Sequence, residues 1–182
     1  MAGMRGRQTV RDMVLSMAVI GAVVAGVYMF IPHDDKADPI KAVDYRVELL
    51  TARRAAPYPV AAPEGLAKGW KTTSVTYSRA ESNAWHLGFL DPDGQYVAIE
   101  QSTAAAGKYI AKVSHQAKNT GKTQAVGGET WQRWEGPKYD ALVRDGKGST
   151  TVVTGTASFE RLAEMAGALK SEKAPSPKSP SP

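Results

Sequence analysis

The 182-residue chain has no cysteine. That excludes disulfides, a thiolate nucleophile, thiolate metal sites and a lipid-modified cysteine as an anchor. Histidine is almost as scarce, with three in the chain. His33, His86 and His115 include no pair at metal-ligand spacing, and none stands beside a carboxylate in a ligand pattern. Gly-x-Ser-x-Gly is missing, so the chain has no hydrolase elbow. Gly146-Lys147-Gly148-Ser149 resembles a phosphate loop superficially, but Ala141 stands where that loop needs glycine and Gly148 where it needs Ser or Thr. It reads as a hairpin turn. Asp91 and Asp93 share a turn that lacks the other oxygen ligands of a calcium site, so they read as turn caps. His86 reads as a satisfied strand histidine. No catalytic residue, cofactor-binding residue or metal ligand is assigned, and no cofactor is expected.

A concentrated basic face is also missing. The net charge is +5, but it is spread along the chain. Residues 40–169 carry 16 basic and 13 acidic side chains, and no basic run of the kind that tracks phosphates occurs. Nucleic acid is therefore not an expected partner.

What the chain does have is one long apolar run. Residues 13–31 contain no charge, and at about 1.5 Å per residue a helix of that length crosses most of a bilayer core of about 30 Å. A helix is the conformation that satisfies its own backbone there. Arg5, Arg7 and Arg11 precede the run, and Asp34, Asp35 and Asp38 follow it. The positive-inside rule puts such an N-terminus in the cytoplasm and the remainder outside. Tyr28 and Phe30 would lie at the outer interface, and Pro32 ends the helix. A cleavable signal peptide is the rival, with Val23 and Ala25 before the cut, but it would strand the apolar stub Val27–Ile31. The reading is a retained single-pass anchor.

The expected organisation is a cytoplasmic N-terminus over 1–12, a transmembrane helix over 13–31 and a linker over 32–39. An extracytoplasmic domain over 40–169 and a disordered Pro/Ser/Lys tail over 170–182 follow. Within the domain, Val43, Tyr45, Val47 and Leu49 alternate with Asp44, Arg46 and Glu48, which predicts a half-buried strand; a short helix also fits the charge spacing. Prolines 57, 59 and 63 predict an extended loop over 55–68. Strands are expected over 70–77, 84–90 and 96–102, the last two joined by a turn at Asp91-Pro92-Asp93-Gly94. An amphipathic helix is expected over 104–118, ended by Asn119-Thr120-Gly121. Short strands over 123–126 and 129–134 come next, then a hairpin of 139–144 with 150–155. A closing helix starts near Ser158, with Phe159, Leu162, Ala163, Ala166 and Leu169 as its buried stripe. The fold class is α+β, an antiparallel sheet covered on one face by two helices.

Tryptophan is the enriched residue type: Trp70, Trp85, Trp131 and Trp134. Trp131 and Trp134 have opposite parity in one strand, so they cannot both be core unless the sheet is covered twice. One of them is expected at a surface, where Trp131, Arg133, Trp134 and Lys138 make a candidate binding patch.

The order of short motifs carries a resemblance. Ala62-Pro63-Glu64-Gly65-Leu66 and Gly69-Trp70-Lys71-Thr72-Thr73-Ser74 precede Trp85-His86-Leu87-Gly88-Phe89 and Pro92-Asp93-Gly94. Gly128-Glu129-Thr130-Trp131 and Val152-Val153-Thr154-Gly155-Thr156-Ala157-Ser158 follow. Together with the anchor these resemble the actinobacterial membrane-anchored family called domain of unknown function 4245, over nearly the whole chain except the tail. Met165-Ala166-Gly167-Ala168-Leu169 departs slightly from the ending associated with that family. The resemblance implies a bacterial plasma membrane and an extracytoplasmic domain, and it transfers no catalytic residue. The leading expectation is a non-enzymatic envelope protein that binds another envelope protein or a cell-wall component. The alternative is an enzyme acting on envelope carbohydrate or peptide with groups assembled only by the fold. Hydrolytic activity in the purified protein would separate the two.

Overall fold

The computed structural model describes residues 5–30, 42–146 and 148–174. Residues up to Pro39 and residues from Ile40 onward form two separate units. The first contains helix α1, Arg5–Phe30. It begins before the apolar run, at Arg5. Its window Val10–Met29, 20 residues, is long and apolar enough to cross a membrane, and none of it is buried in the protein. The expected linker 32–39 lies outside the described residues.

The second unit opens on helix α2, Arg46–Ala55, which corrects the strand expected there. Val47 and Leu50 are exposed, while Leu49 and Ala52 are buried, so the burial period is helical. Charge placement agrees: Glu48 lies in the first turn, Arg53 and Arg54 in the last, each complementing the helix dipole. The expected loop over 55–68 contains strand β1, Val60–Pro63, buried at all four positions. Pro59 and Pro63 bound it without removing an interior ladder donor.

Strands β2 (Lys71–Ser78), β3 (Ala84–Leu90) and β4 (Tyr96–Ser102) follow, then helix α3 (Ala106–Val113). Strands β5 (Lys118–Val126), β6 (Glu129–Glu135), β7 (Asp140–Gly146) and β8 (Ser149–Gly155) lead to helix α4 (Phe159–Ala168) and strand β9 (Leu169–Glu172). The β3–β4 hairpin has the expected turn. Asp91 Oδ1 accepts from Asp93 N at 2.9 Å and Gln95 N at 2.8 Å, and Gly94 adopts φ +76°. Helix α3 stops earlier than expected because His115 and Gln116 take φ of 52° and 72°. Asn119-Thr120-Gly121 is a bulge within β5 rather than a helix stop. Ser158 caps α4, its Oγ accepting from Arg161 N. The chain is still ordered beyond Lys170, where β9 pairs with β1. The remainder of the expected tail, from 175, lies outside the described residues.

All seven of the strands β2 to β8 form one antiparallel sheet in the order β2-β3-β4-β8-β7-β6-β5. The fold is α+β, as expected, but the helices do not share one face. Trp85, Leu87, Ile99, Leu142, Val153 and Trp131 pack with Leu49 of α2, Leu162 of α4 and the β1–β9 ribbon. Ala141, Val143 and Val152 have the other parity and pack with Tyr109 and Ile110 of α3. The sheet is covered twice. The two middle strands approach so closely at Gly155 that a Cβ there would overlap the Tyr96 carbonyl and stand 3.0 Å from Val97 Cα. Backbone cannot give way as a side-chain tip can. Gly155→Ala should therefore lower the unfolding free energy by about 3 kcal/mol or more, read from urea unfolding of the purified protein.

Candidate functional site

Two polar constellations lie where the helical cover of the sheet ends. The first is on the α4 face. Its floor is one cross-strand row: Gln101 on β4 faces Thr151 on β8, which faces Arg144 on β7. Trp131 and Gln124, paired on β6 and β5, extend the row. Gln101 is fully engaged. Its Oε1 accepts from Ala61 N at 2.7 Å, and its Nε2 donates to Thr151 Oγ1 at 3.0 Å. The Arg144 guanidinium lies 5.0 Å over the Trp131 ring and is paired with Glu129. Burial lowers the Arg144 pKa from its usual value. Gln124 Oε1, at the end of the row, is buried without a partner.

The β1–β9 ribbon forms the wall above this floor. Ala61 spends its N–H on Gln101 and its carbonyl on Trp85 Nε1, at 2.9 Å. Ala61 is opposite Ser171 and spends both backbone groups elsewhere, so that pair is the non-hydrogen-bonded kind. Ser171 consequently turns its own N–H and C=O away from β1. Ser171 also lines a groove of two adjoining clefts, about 500 Å³ and about 340 Å³, which share Ser171, Glu129 and Arg144.

The four residues expected as one patch are dispersed. Trp131 is buried, 1% exposed, and contributes to the groove lining. Arg133 lies on the same face but spans Phe159 of α4, its guanidinium 3.7 Å from the ring centre. Trp134 is half-buried on the opposite face against the α3 cluster, its Nε1 donating to Gln132 Oε1 at 3.3 Å. Lys138 stands over Tyr139, 5.2 Å from the ring centre. Three residues of separation in a strand put Trp131 and Trp134 on opposite faces, so no single surface holds both.

The second constellation is on the α3 face. Ser74 on β2, His86 on β3 and Glu100 on β4 converge. Ser74 Oγ is 2.7 Å from His86 Nε2, and His86 Nδ1 is 2.6 Å from Glu100 Oε1. Tyr109 of α3 donates to Glu100 Oε2 at 3.4 Å, and the Tyr96 hydroxyl stands near Ser74 over Gly88. The Glu100 carboxylate accepts only, so in the neutral ring Nδ1 carries the proton and Nε2 accepts from the Ser74 hydroxyl. His86 is thus a partnered strand histidine, as expected, but its partners went unforeseen. His86 and Glu100 are directly opposed in the hairpin, and both lie seven residues from Asp93. That symmetry about a legible turn was the available signal. Ser74 carried none, because it joins through a bulge that makes Thr73 the extra residue between Thr72 and Ser74.

An antiparallel α+β domain behind a single long apolar helix is the class these observations define. The family model described as "Protein of unknown function (DUF4245)" matches residues 5–169, and the chain belongs to that family. No curated protein matches it.

Burial opposes the His86 cation, but the hydrogen bond and charge of Glu100 outweigh it, and the pKa is raised above 6.5. Removing Glu100 leaves burial acting alone. In Glu100→Gln the His86 titration, followed by NMR of the ring protons, should move down through its ordinary range. In the wild type, the pair adds stability that is full below about pH 6.5 and fades as pH rises through the raised value. That pH slope should flatten in Glu100→Gln.

Proposed function

We propose that this protein is a single-pass membrane-anchored domain on the outer side of a cell membrane, where it binds an extended segment of an envelope protein. The observation that carries the binding reading is the β9 edge. Ser171 offers an unpaired N–H and C=O to a groove floored by Arg144 and Trp131. An extended peptide satisfies such an edge by adding a strand, and side-chain contacts beneath it set specificity. The anchoring reading rests on the span Val10–Met29. The outward orientation rests on Arg5, Arg7 and Arg11 preceding it.

Orientation has a direct test, because the chain lacks cysteine. Single thiols in Thr9→Cys and Lys122→Cys can be treated with a membrane-impermeant maleimide. Lys122→Cys should react in intact cells and Thr9→Cys only after permeabilisation; the reverse pattern would overturn the orientation.

Binding is tested by crosslinking the full-length protein in its native membrane. A partner captured by wild type and by Lys138→Ala should be reduced at least tenfold with Arg144→Ala, provided thermal unfolding shows the variant folded. Equal capture by all three forms would remove the groove from the account. A cell-wall fragment retained in place of a protein would shift the ligand class and leave the groove in use.

A further inference from the structure

We propose that Ser74, His86 and Glu100 form a nucleophilic site that cleaves small, uncharged carboxylic esters, on the sheet face opposite the groove. Three strands supply the three groups in the order this chemistry needs. The acid binds the imidazole through Nδ1, which leaves Nε2 as the base on the serine hydroxyl. Every hydrogen bond in the chain runs one way. With His86 neutral, Ser74 donates to His86, and His86 and Tyr109 both donate to Glu100. A structural network needs only that its members be satisfied. This one is also directional and starts from the Ser74 hydroxyl at an accessible border of the face.

The accessibility follows from the cover. Helix α3 packs on the Ala141, Val143 and Val152 cluster, and the outer strands extend past it. Thr76, opposite His86, is exposed, Ser74 is half-buried, and the His86 side chain is 28% exposed. The lack of a side chain at Gly88, directly opposite Ser74, leaves Ser74 Oγ, Tyr96 Oη and Thr73 Oγ1 crowded around one point. Thr73 Oγ1 is buried and has no partner, a hydroxyl free to donate to a new acceptor.

The reaction balances with water alone. Ser74 Oγ bonds to the ester carbonyl carbon while its proton passes to His86 Nε2. The carbonyl oxygen gains negative charge and accepts from Tyr96 or Thr73. The C–O bond to the alcohol breaks, and that oxygen takes the proton from His86. Water then adds to the acyl-serine with His86 again as base, releasing the carboxylic acid and restoring Ser74. His86 would be a catalytic residue and Glu100 a positioning residue acting through it. Among the described residues, the groups facing His86 carry no charge other than Glu100: they include Ser74 and the phenols of Tyr96 and Tyr109, whose pKa values burial raises, to about 12 for Tyr96. Small neutral esters therefore fit better than anionic ones, and the open face suits an acyl group carried on an exposed hydroxyl.

The test uses the full-length protein in detergent with a fluorophosphonate probe, peptide mass spectrometry and p-nitrophenyl acetate turnover. A single adduct is expected on the Ser74 peptide, with both labelling and turnover falling at least tenfold in His86→Gln. The wild-type rate should rise with pH as His86 loses its proton, and in Glu100→Gln that profile should move to lower pH. A folding failure is separated by Ser74→Cys, which carries the chain's single thiol. Its iodoacetamide reaction should begin at lower pH than in Ser74→Cys with His86→Gln. No Ser74 adduct on folded protein, or equal labelling and thiol reactivity with and without His86, would overturn the proposal. Loss of groove binding would leave it untouched.

Discussion

Ala141, Leu142 and Val143 are consecutive on β7, and all three are fully buried. The same holds for Val152 and Val153 on β8. Neighbours in a strand face opposite sides, so the centre of this sheet must be roofed on both faces or lose apolar burial worth about 25 cal/mol per Å². The rest of the domain answers that requirement. Helices α2 and α4 with the β1–β9 ribbon roof one face, and α3 roofs the other. An eight-residue helix such as α3 is not stable alone; Tyr109 and Ile110 hold it by docking on β7 and β8. So short a roof leaves β2 and β3 partly open. The ribbon likewise leaves a gap above β6 and β7. Both polar constellations occupy these borders.

Energetics separate the interior of the cover from its borders. Gln101 is 2% exposed, and a buried amide is tolerable only when bonded, at about 1–3 kcal/mol for each group left without a partner. Gln101 meets that demand and ties the ribbon to the sheet through Ala61 and Thr151. Two of the buried polar atoms left without a partner among the described residues lie at the borders. Gln124 Oε1 ends the row beneath the groove, and Thr73 Oγ1 sits in the bulge beside Ser74. A ligand oxygen or N–H arriving at either place would meet a group already desolvated.

The sequence revealed elements whose burial is one-sided and whose ends carry turn chemistry. Strands β3 and β4 came with Asp91-Pro92-Asp93-Gly94 between them, and α4 came with Ser158 as its cap. What stayed hidden depends on contacts distant in sequence. β1 is a strand because Gln101 and Trp85 engage Ala61 and because β9 returns more than a hundred residues later; its prolines read locally as loop. α2 and a half-buried strand share the same spacing of charges over 43–49, and the exposure of Val47 with the burial of Leu49 and Ala52 distinguishes them. Parity did expose the question of two faces through Trp131 and Trp134, but not which helix would supply the second roof. The candidate patch failed to assemble for the same reason, since residues near in sequence were divided between faces.

The edges of the sheets bear on the groove independently. On the outer side of β2, Val43 N donates to Thr72 O and Tyr77 N donates to Glu48 Oε1, so that edge is occupied. The β5 edge is bent by the bulge between Asn119 and Thr123 and carries exposed Lys118 and Lys122, two devices that discourage pairing with another chain. Edge protection is thus applied at both ends of the large sheet. At Ser171 the unpaired backbone instead opens into a walled groove. An edge inside a groove can accept one strand of defined direction while excluding the sheet-to-sheet contacts that lead to aggregation.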